Sequence, residues 1–558
     1  MNAQADSSPP IEKAIALANE GHLDQAETLA QQRLASHPGD PDALTLLGGL
    51  ARARGDRVAA VRLYSEALRH RSDHTKAEAN LGATLLELGR IDDAVKHLDA
   101  AVKRDPADID ARVNFGTALL EAQDYAGAER ELREALASSP GDALALNSLG
   151  NALFRSGRTN EAIDVFEEAA RADPTLAMTF NNLGSAWREK GATANSEAAF
   201  REAVSLRPNF PAAWTGLGVA LREQGRFAEA HVAHDRALDV DPAFASARFN
   251  RAVVDLGEGR FAEGFRDYRA RPLDVPNGIE RESLPQDLSG RRVLLLPNQG
   301  LGDELFFLRF APALRGRGAS LIYRAGVPIA QIVERSGVVD VVLRNGEPDP
   351  KHDIAVSIGD LPYLLATQSK GDLPPPLVFP VPADETASAR RSLAELGPPP
   401  YIGLTWRAGT REWNALLKEV SAAELGIALK NIPATFVALQ RSPDPGEIDA
   451  LSRAIDATVH DLSALNRDLS GMLALLDTID VYVAVSNTNT HLRAGTGRPS
   501  HVLVPHPPEW RWMHAGARSP WFPACALYRQ LHAGPGMSGW EDALAALRRD
   551  ILALVAKG

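Results

Sequence analysis

Two patterns of apolar and polar positions divide the chain near residue 271. Before it, small and apolar residues recur at helical spacing with one fixed period. Glycine stands at Gly48, Gly82, Gly116, Gly150, Gly184 and Gly218, in steps of 34 residues, with Ala252 next. Alanine keeps the same step at Ala60, Ala94, Ala128, Ala162 and Ala230, interrupted by Ser196, and again at Ala67, Ala101, Ala135, Ala169, Ala203 and Ala237. Proline follows at Pro38, Pro106, Pro140, Pro174, Pro208 and Pro242, with Ser72 in the vacant place. Each period predicts a helical pair. A glycine such as Gly55, Gly89, Gly157, Gly191 or Gly225 ends the first helix, and the proline stops the second. After residue 292 the pattern changes to short apolar runs between helices, at 293–297, 320–323, 338–343, 354–358, 402–406, 435–439, 481–485 and 501–504. A helix near 540–555 follows. That alternation predicts parallel sheets.

The 34-residue step with these small and proline positions resembles the tetratricopeptide repeat. Six full repeats run over 41–244, with a partial one on each side, and predict a superhelix with a concave groove. Asn80, Asn114, Asn182 and Asn250 share one register, two residues before the glycine column. A column of carboxamides can grip the backbone of an extended peptide; the alternative is a bond to the neighbouring repeat. The expected division is repeats over 1–271, a proline- and glycine-rich linker over 272–288, and two α/β parts over 289–385 and 386–558, hinged at the proline-rich stretches 373–382 and 397–400.

Bulk properties narrow the function. The chain has 558 residues and a net charge of -12, so a nucleic-acid partner has no electrostatic footprint. The single cysteine, Cys525, excludes an intramolecular disulfide and any cysteine-based zinc site. The start has no signal-peptide pattern and no run is long enough to span a bilayer, so a cytoplasmic protein without membrane insertion is expected.

Three stretches carry candidate chemistry. Gly300-Leu301-Gly302-Asp303 follows a predicted strand and opens a helix, where glycines admit a ligand to the backbone. It is neither a dinucleotide fingerprint nor a P-loop. Asp303 is read as the catalytic carboxylate; the alternative is a helix N-cap. Ser486-Asn487-Thr488-Asn489-Thr490-His491 follows another strand and opens another helix, a setting suited to a phosphate or diphosphate, or simply a polar capping run. Arg407 and Lys418 are cations at the same end of the second sheet. Trp510-Arg511-Trp512 and Ser519-Pro520-Trp521-Phe522-Pro523 concentrate aromatics that either stack on a base or sugar or pack an interface. The histidines, including His501, His506 and His514, show no metal-ligand spacing, so no metal is expected.

The second half resembles the heptosyltransferase-like glycosyltransferases of GT-B fold, in the version fused behind tetratricopeptide repeats. The matching pieces are 300–314 (GLGDELFFLRFAPAL), 402–410 (IGLTWRAGT), 480–491, 508–513, 519–523 and Arg529-Gln530. The layout is also similar to the O-linked N-acetylglucosamine transferases, whose lysine motif Asn414-Ala415-Leu416-Leu417-Lys418 resembles. What the resemblance implies is an all-α superhelix followed by an α/β GT-B module of two Rossmann-like halves. It implies an inverting transferase of hexosyl, heptosyl or nonulosonyl type that uses a nucleotide sugar and no cofactor. Asp303 matches the general base, Lys418 a diphosphate-binding lysine, and His491 the histidine that opens the donor-binding helix, with Gly300, Gly302, Arg407 and 486–490 around the donor. Ser486-Asn487 stands where heptosyltransferases carry Asp-Thr, which leaves an ADP-heptose donor open. The acceptor implied is a protein or peptide in the repeat groove, such as a flagellin or surface adhesin. A lipopolysaccharide or other glycan acceptor, or a scaffold with an inactive module, are the alternatives.

Overall fold

The computed structural model describes residues 11–272, 279–297, 300–344, 346–408, 418–531 and 538–556. Residues 273–278 of the expected linker, and 409–417 with most of the lysine motif, lie outside the described residues. The chain forms two compact units, 1–208 and 209–558.

The first unit holds six antiparallel helical pairs, from Ile11–Asn19 with Leu23–Ser36 to Ala177–Glu189 with Thr193–Leu206. The glycine column has a steric cause. A Cβ at Gly48, Gly82, Gly116, Gly150 or Gly184 would press on Tyr64, Leu98, Leu132, Phe166 or Phe200, the large residue sixteen positions on. Small meets large across these five pairs, so their helices approach closely. Asp40, Asp108 and Asp142 cap first helices by accepting backbone N–H bonds. The turn glycines adopt the left-handed backbone, with φ from 72° to 85° at Gly55, Gly89, Gly157 and Gly191. Gln123 fills the same place in the intervening repeat at φ 64°.

The second unit opens with two further pairs, Pro211–Glu223 with Phe227–Val240 and Ala245–Glu258 with Phe261–Tyr268. In the first of these the large position is His234, against Gly218. Arg271 then turns into the α/β part through a fully buried ion pair with Asp360, and donates to Ser357 Oγ at 3.0 Å. Four parallel strands follow: β1 (Arg292–Leu296), β2 (Ser320–Arg324), β3 (Val341–Leu343) and β4 (Ile354–Ser357), in the order β3-β2-β1-β4. The helix expected to open at Gly300 is broken into Leu301–Phe307, a 3-10 turn and Ala311–Gly316. Pro312 lacks the N–H that a continuous helix would need.

A six-stranded parallel sheet completes the unit: β5 (Tyr401–Thr405), β6 (Thr435–Ala438), β7 (Val459–Asp461), β8 (Val481–Val485), β9 (His501–Val504) and β10 (Ala526–Arg529). Its order, β10-β9-β8-β5-β6-β7, is the doubly wound one, with the reversal between β5 and β8. Ligands in such sheets bind beyond the carboxyl ends of the strands at that reversal. The helix Ala383–Leu396 spans the expected 385/386 boundary and packs on Leu469–Thr478 of the second part. One apolar core runs through the last helical pair and both sheets, from Phe261 and Phe265 through Phe306 and Phe307 to Trp510 and Trp521. The 510–523 aromatics therefore pack an interface, the second of the two readings. Among the described residues no helix is long and apolar enough to cross a membrane.

Candidate active site

β1 delivers its turn to the mouth of this reversal. Gly300 caps the helix Leu301–Phe307 in an extended conformation, so Asp303 is its third residue and not its cap. Glu304 turns inward instead, where it accepts from the Tyr323 hydroxyl and from the Gly326 N–H at 3.3 Å. Burial pushes the Glu304 carboxyl upward. That anchorage fixes the helix, and Asp303 faces outward. Its Oδ1 accepts from Arg511, and no hydrogen bond reaches Oδ2 among the described residues.

From the second sheet, Arg407 lies just past β5, with its guanidinium engaged by Glu447 at 3.0 and 3.1 Å and by the Ser442 carbonyl at 2.8 Å. The hydrogen bond to Glu447 and that carboxylate's charge hold it further above the ordinary arginine range, against the effect of burial. It reads as a brace for the loop after β6. Lys418 pairs with Ala408 through its backbone carbonyl and donates its ammonium to Glu509 at 2.7 Å.

Past β8, Ser486 donates to Glu509 at 3.0 Å. Asn487 caps the helix Thr488–Gly495 by accepting from Thr490 N at 3.0 Å, so the capping reading holds for this residue. Asn489 donates to Asn466 at 3.2 Å, and the Thr490 hydroxyl turns back to the Val485 carbonyl. His491 packs against Gly302, where a Cβ would meet its ring at 3.4 Å. Burial, helped by the Arg511 charge, lowers the His491 imidazole to about 3, so the ring is neutral.

These residues surround a cleft of about 380 Å³. Gly300, Gly302, Asp303, Arg407, Lys418, Ser486, Asn487, Thr488, Asn489 and His491 all line it, joined by Thr405, Arg441, Asn466, Glu509 and Arg511. Thr490 is buried and takes no part. Asp303, Arg511, Glu509 and Lys418 make a continuous ion-pair chain of alternating sign. Burial opposes ionisation of Glu509, but Lys418 and Arg511 overcome it and hold the carboxyl far below the usual range. Among the described residues, three buried polar atoms on this wall have no hydrogen-bond partner: Asn487 Nδ2, His491 Nδ1 and Arg511 Nε. Glu509 and Arg511 escaped sequence reasoning as site residues, although two charges interleaved with tryptophans in Glu509-Trp510-Arg511-Trp512 were a usable signal.

The asparagine register is mixed. Asn182 donates to Asn147 at 3.0 Å, and Asn250 folds back on the Ser246 carbonyl at 2.9 Å. Asn80 and Asn114 are half-buried, with no side-chain bond among the described residues.

Comparison with known proteins reaches the repeats. The tetratricopeptide repeat family matches residues 11–75, 113–177, 181–233 and 216–272, and a second profile of the same description matches 51–113. Protein FlbA of Caulobacter vibrioides is 27% identical over 295 residues, which is 48% of this chain and 48% of FlbA. The chain thus spans about half the length of that curated relative. A tetratricopeptide repeat protein from Parabacteroides merdae is 17% identical, covering 44% of this chain and 96% of its own, with a TM-score of 0.38. The APC/C hetero-tetramer Cut9-Hcn1 is also 17% identical, over 43% of this chain and 48% of that one, with a TM-score of 0.40. Residues 11–272 are an array of tetratricopeptide repeats.

Proposed function

We propose that residues 289–558 form a nucleotide-sugar-dependent inverting glycosyltransferase whose acceptor is a protein or peptide held by the repeats. The carrying observation is the convergence of Asp303, Lys418 and the N-terminus of the helix Thr488–Gly495 on one cleft. In this reading Asp303 Oδ2 takes the proton of an acceptor hydroxyl as its oxygen attacks the anomeric carbon. The bond from that carbon to the donor diphosphate breaks, and its electron pair stays on the phosphate oxygen. Lys418 and the helix N-terminus take up the departing charge. A single displacement inverts the anomeric centre. His491, being neutral, lines the cleft without adding charge. Asn80 and Asn114 retain their carboxamides for an acceptor backbone, whereas Asn182 and Asn250 have theirs occupied.

Intact-mass spectrometry of proteins captured by the repeats tests this, comparing cells that carry the wild type with cells that carry Asp303→Ala. A sugar-sized increment seen with the wild type alone is expected. Identical masses would remove the protein acceptor from the reading. One observation favours a second reading, a scaffold with an inactive module: Asp303 and Lys418 already have ionic partners. A thermal-shift panel of nucleotide sugars separates the two, since a scaffold answers to none of them.

A further inference from the structure

The carboxylate and the lysine of the proposed transfer come from different sheets, and one segment between β9 and β10 touches both. Arg511 donates one nitrogen to Asp303 and another to Glu509. The second oxygen of Glu509 accepts from Lys418 at 2.7 Å and from Ser486 at 3.0 Å. The two middle side chains are nearly enclosed, Arg511 at 8% and Glu509 at 12% exposure. The two outer ones reach the cleft, Asp303 at 22% and Lys418 at 26%. Aromatic faces confine the guanidinium, with Trp510 centred 4.6 Å and Phe306 4.7 Å from it. Formal charges along the row sum to zero, so no member is a lone buried ion.

We propose that Glu509 and Arg511 are positioning residues, a rigid ionic strut that sets the spacing and aim of Asp303 and Lys418 across the two sheets. The proposal rests on the transferase reading. Arg511 occupies Oδ1 of Asp303, which leaves Oδ2 for the acceptor. Glu509 occupies one of the three donors of the Lys418 ammonium and leaves two for a diphosphate. Its own negative charge opposes that diphosphate. Glu509 therefore weakens ligand binding while it holds the geometry that turnover needs, a combination that no merely structural residue would show.

The test measures inorganic pyrophosphate binding by calorimetry, and turnover with the sugar identified by the mass experiment, in the full chain. Glu509→Gln is expected to bind pyrophosphate about fivefold more tightly, the effect of deleting one charge at a few ångströms in high dielectric. Its turnover is expected to fall about 100-fold, as for a small misplacement of reacting groups. Glu509→Asp, which keeps the charge, should recover part of that turnover. Parallel losses of binding and turnover, or no change in either, would overturn the strut. Should Glu509→Gln fail to fold, Arg511→Lys takes its place. It should bind pyrophosphate within about twofold of wild type yet lose about tenfold in turnover, because lysine lacks the two-pronged fork; turnover equal to wild type counts against the strut. If the wild type binds neither pyrophosphate nor any nucleotide sugar, it is the transferase reading that fails. Hydrogen exchange then judges the strut alone: Glu509→Gln or Arg511→Lys should speed exchange at 301–307 and 488–495, and unchanged rates would refute it.

Discussion

His234 is the exception in a column otherwise filled by Tyr64, Leu98, Leu132, Phe166 and Phe200. It is fully buried, and among the described residues neither ring nitrogen finds a partner. Burial, with the Arg222 charge adding to it, lowers its imidazole to about 3. The folded chain therefore binds fewer protons here than the unfolded chain between about pH 6.5 and 3. Stability from this site is complete above pH 6.5 and is lost as pH falls, at up to about 1.4 kcal/mol per pH unit. His491 behaves the same way in the same window. His234→Phe restores the column and removes two unmet polar atoms, so it should stabilise the second unit by about 1–3 kcal/mol. Melting curves at pH 7.5 and pH 5 check this: the variant should show the smaller loss on acidification. An equal loss in both would mean that His234 does not govern the acid response. The glycine register was plain in the sequence because it is chemically uniform. Its large partner sixteen residues on varies among four residue types, and only the packed pairs show that it is one column.

At the scale of elements, what could be read depended on how deeply each element is buried. β1, β5 and β8 lie inside their sheets, covered on both faces, and appear as unbroken apolar runs. β7 and β10 are the two edges of the six-stranded sheet. The first is Val-His-Asp with one buried residue, and no apolar run announced it. The turns that follow β1 and β8 and carry Asp303 and Ser486 were legible for the same reason as the strands themselves, whereas Lys418, well past the end of β5, was singled out by its likeness to the lysine motif. Glu509 and Arg511 left only the fainter signal of charges interleaved with tryptophans, since the 3-10 turn Trp510–Trp512 has no periodicity to read. Helix ends were clearer, because a left-handed terminus selects glycine. Gln123 breaks that rule at φ 64° on an exposed turn. A side chain in this conformation costs about 1–2 kcal/mol, and glycine's larger unfolded-state entropy offsets about half. Gln123→Gly should therefore raise the stability of the first unit by about 0.5–1 kcal/mol, while Gln123→Ala should give nothing. Chemical denaturation of the two variants decides; a glycine variant no firmer than wild type would show that the turn is unstrained.

Over the whole second unit, the last repeat pair and the cleft belong to one packed body. Phe265 and Tyr268 meet Trp510 edge-on at centroid distances of 6.1 and 6.0 Å, and Phe261 meets Trp521 at 5.3 Å. Three residues beyond Arg511, the His514 N–H donates to the Gly257 carbonyl at 2.9 Å, and the His514 ring stacks on Phe227 at 3.5 Å. Arg529 fastens the same loop by donating to the Trp512, Met513 and Gly516 carbonyls. The segment that holds Asp303 and Lys418 at one end is thus held at the other by repeat helices. Met513 between them adopts φ 60° and ψ 160°, a backbone state that side chains rarely take and that persists only where surroundings impose it. Gly257→Ala probes the connection from the repeat side. Within a helix, alanine is intrinsically favoured over glycine by about 0.5–1 kcal/mol. Here its methyl would overlap the His514 ring, which cannot swing aside because Phe227 lies flat against it. The displaced loop should shift Arg511 and Glu509, and pyrophosphate binding should change by about threefold or more, although no atom of Gly257 lines the cleft. Adding His514→Ala makes room for the methyl and should bring the affinity back towards the wild-type value. Wild-type affinity in Gly257→Ala alone would mean that the loop absorbs the strain locally, and that the repeats do not set the geometry of the cleft.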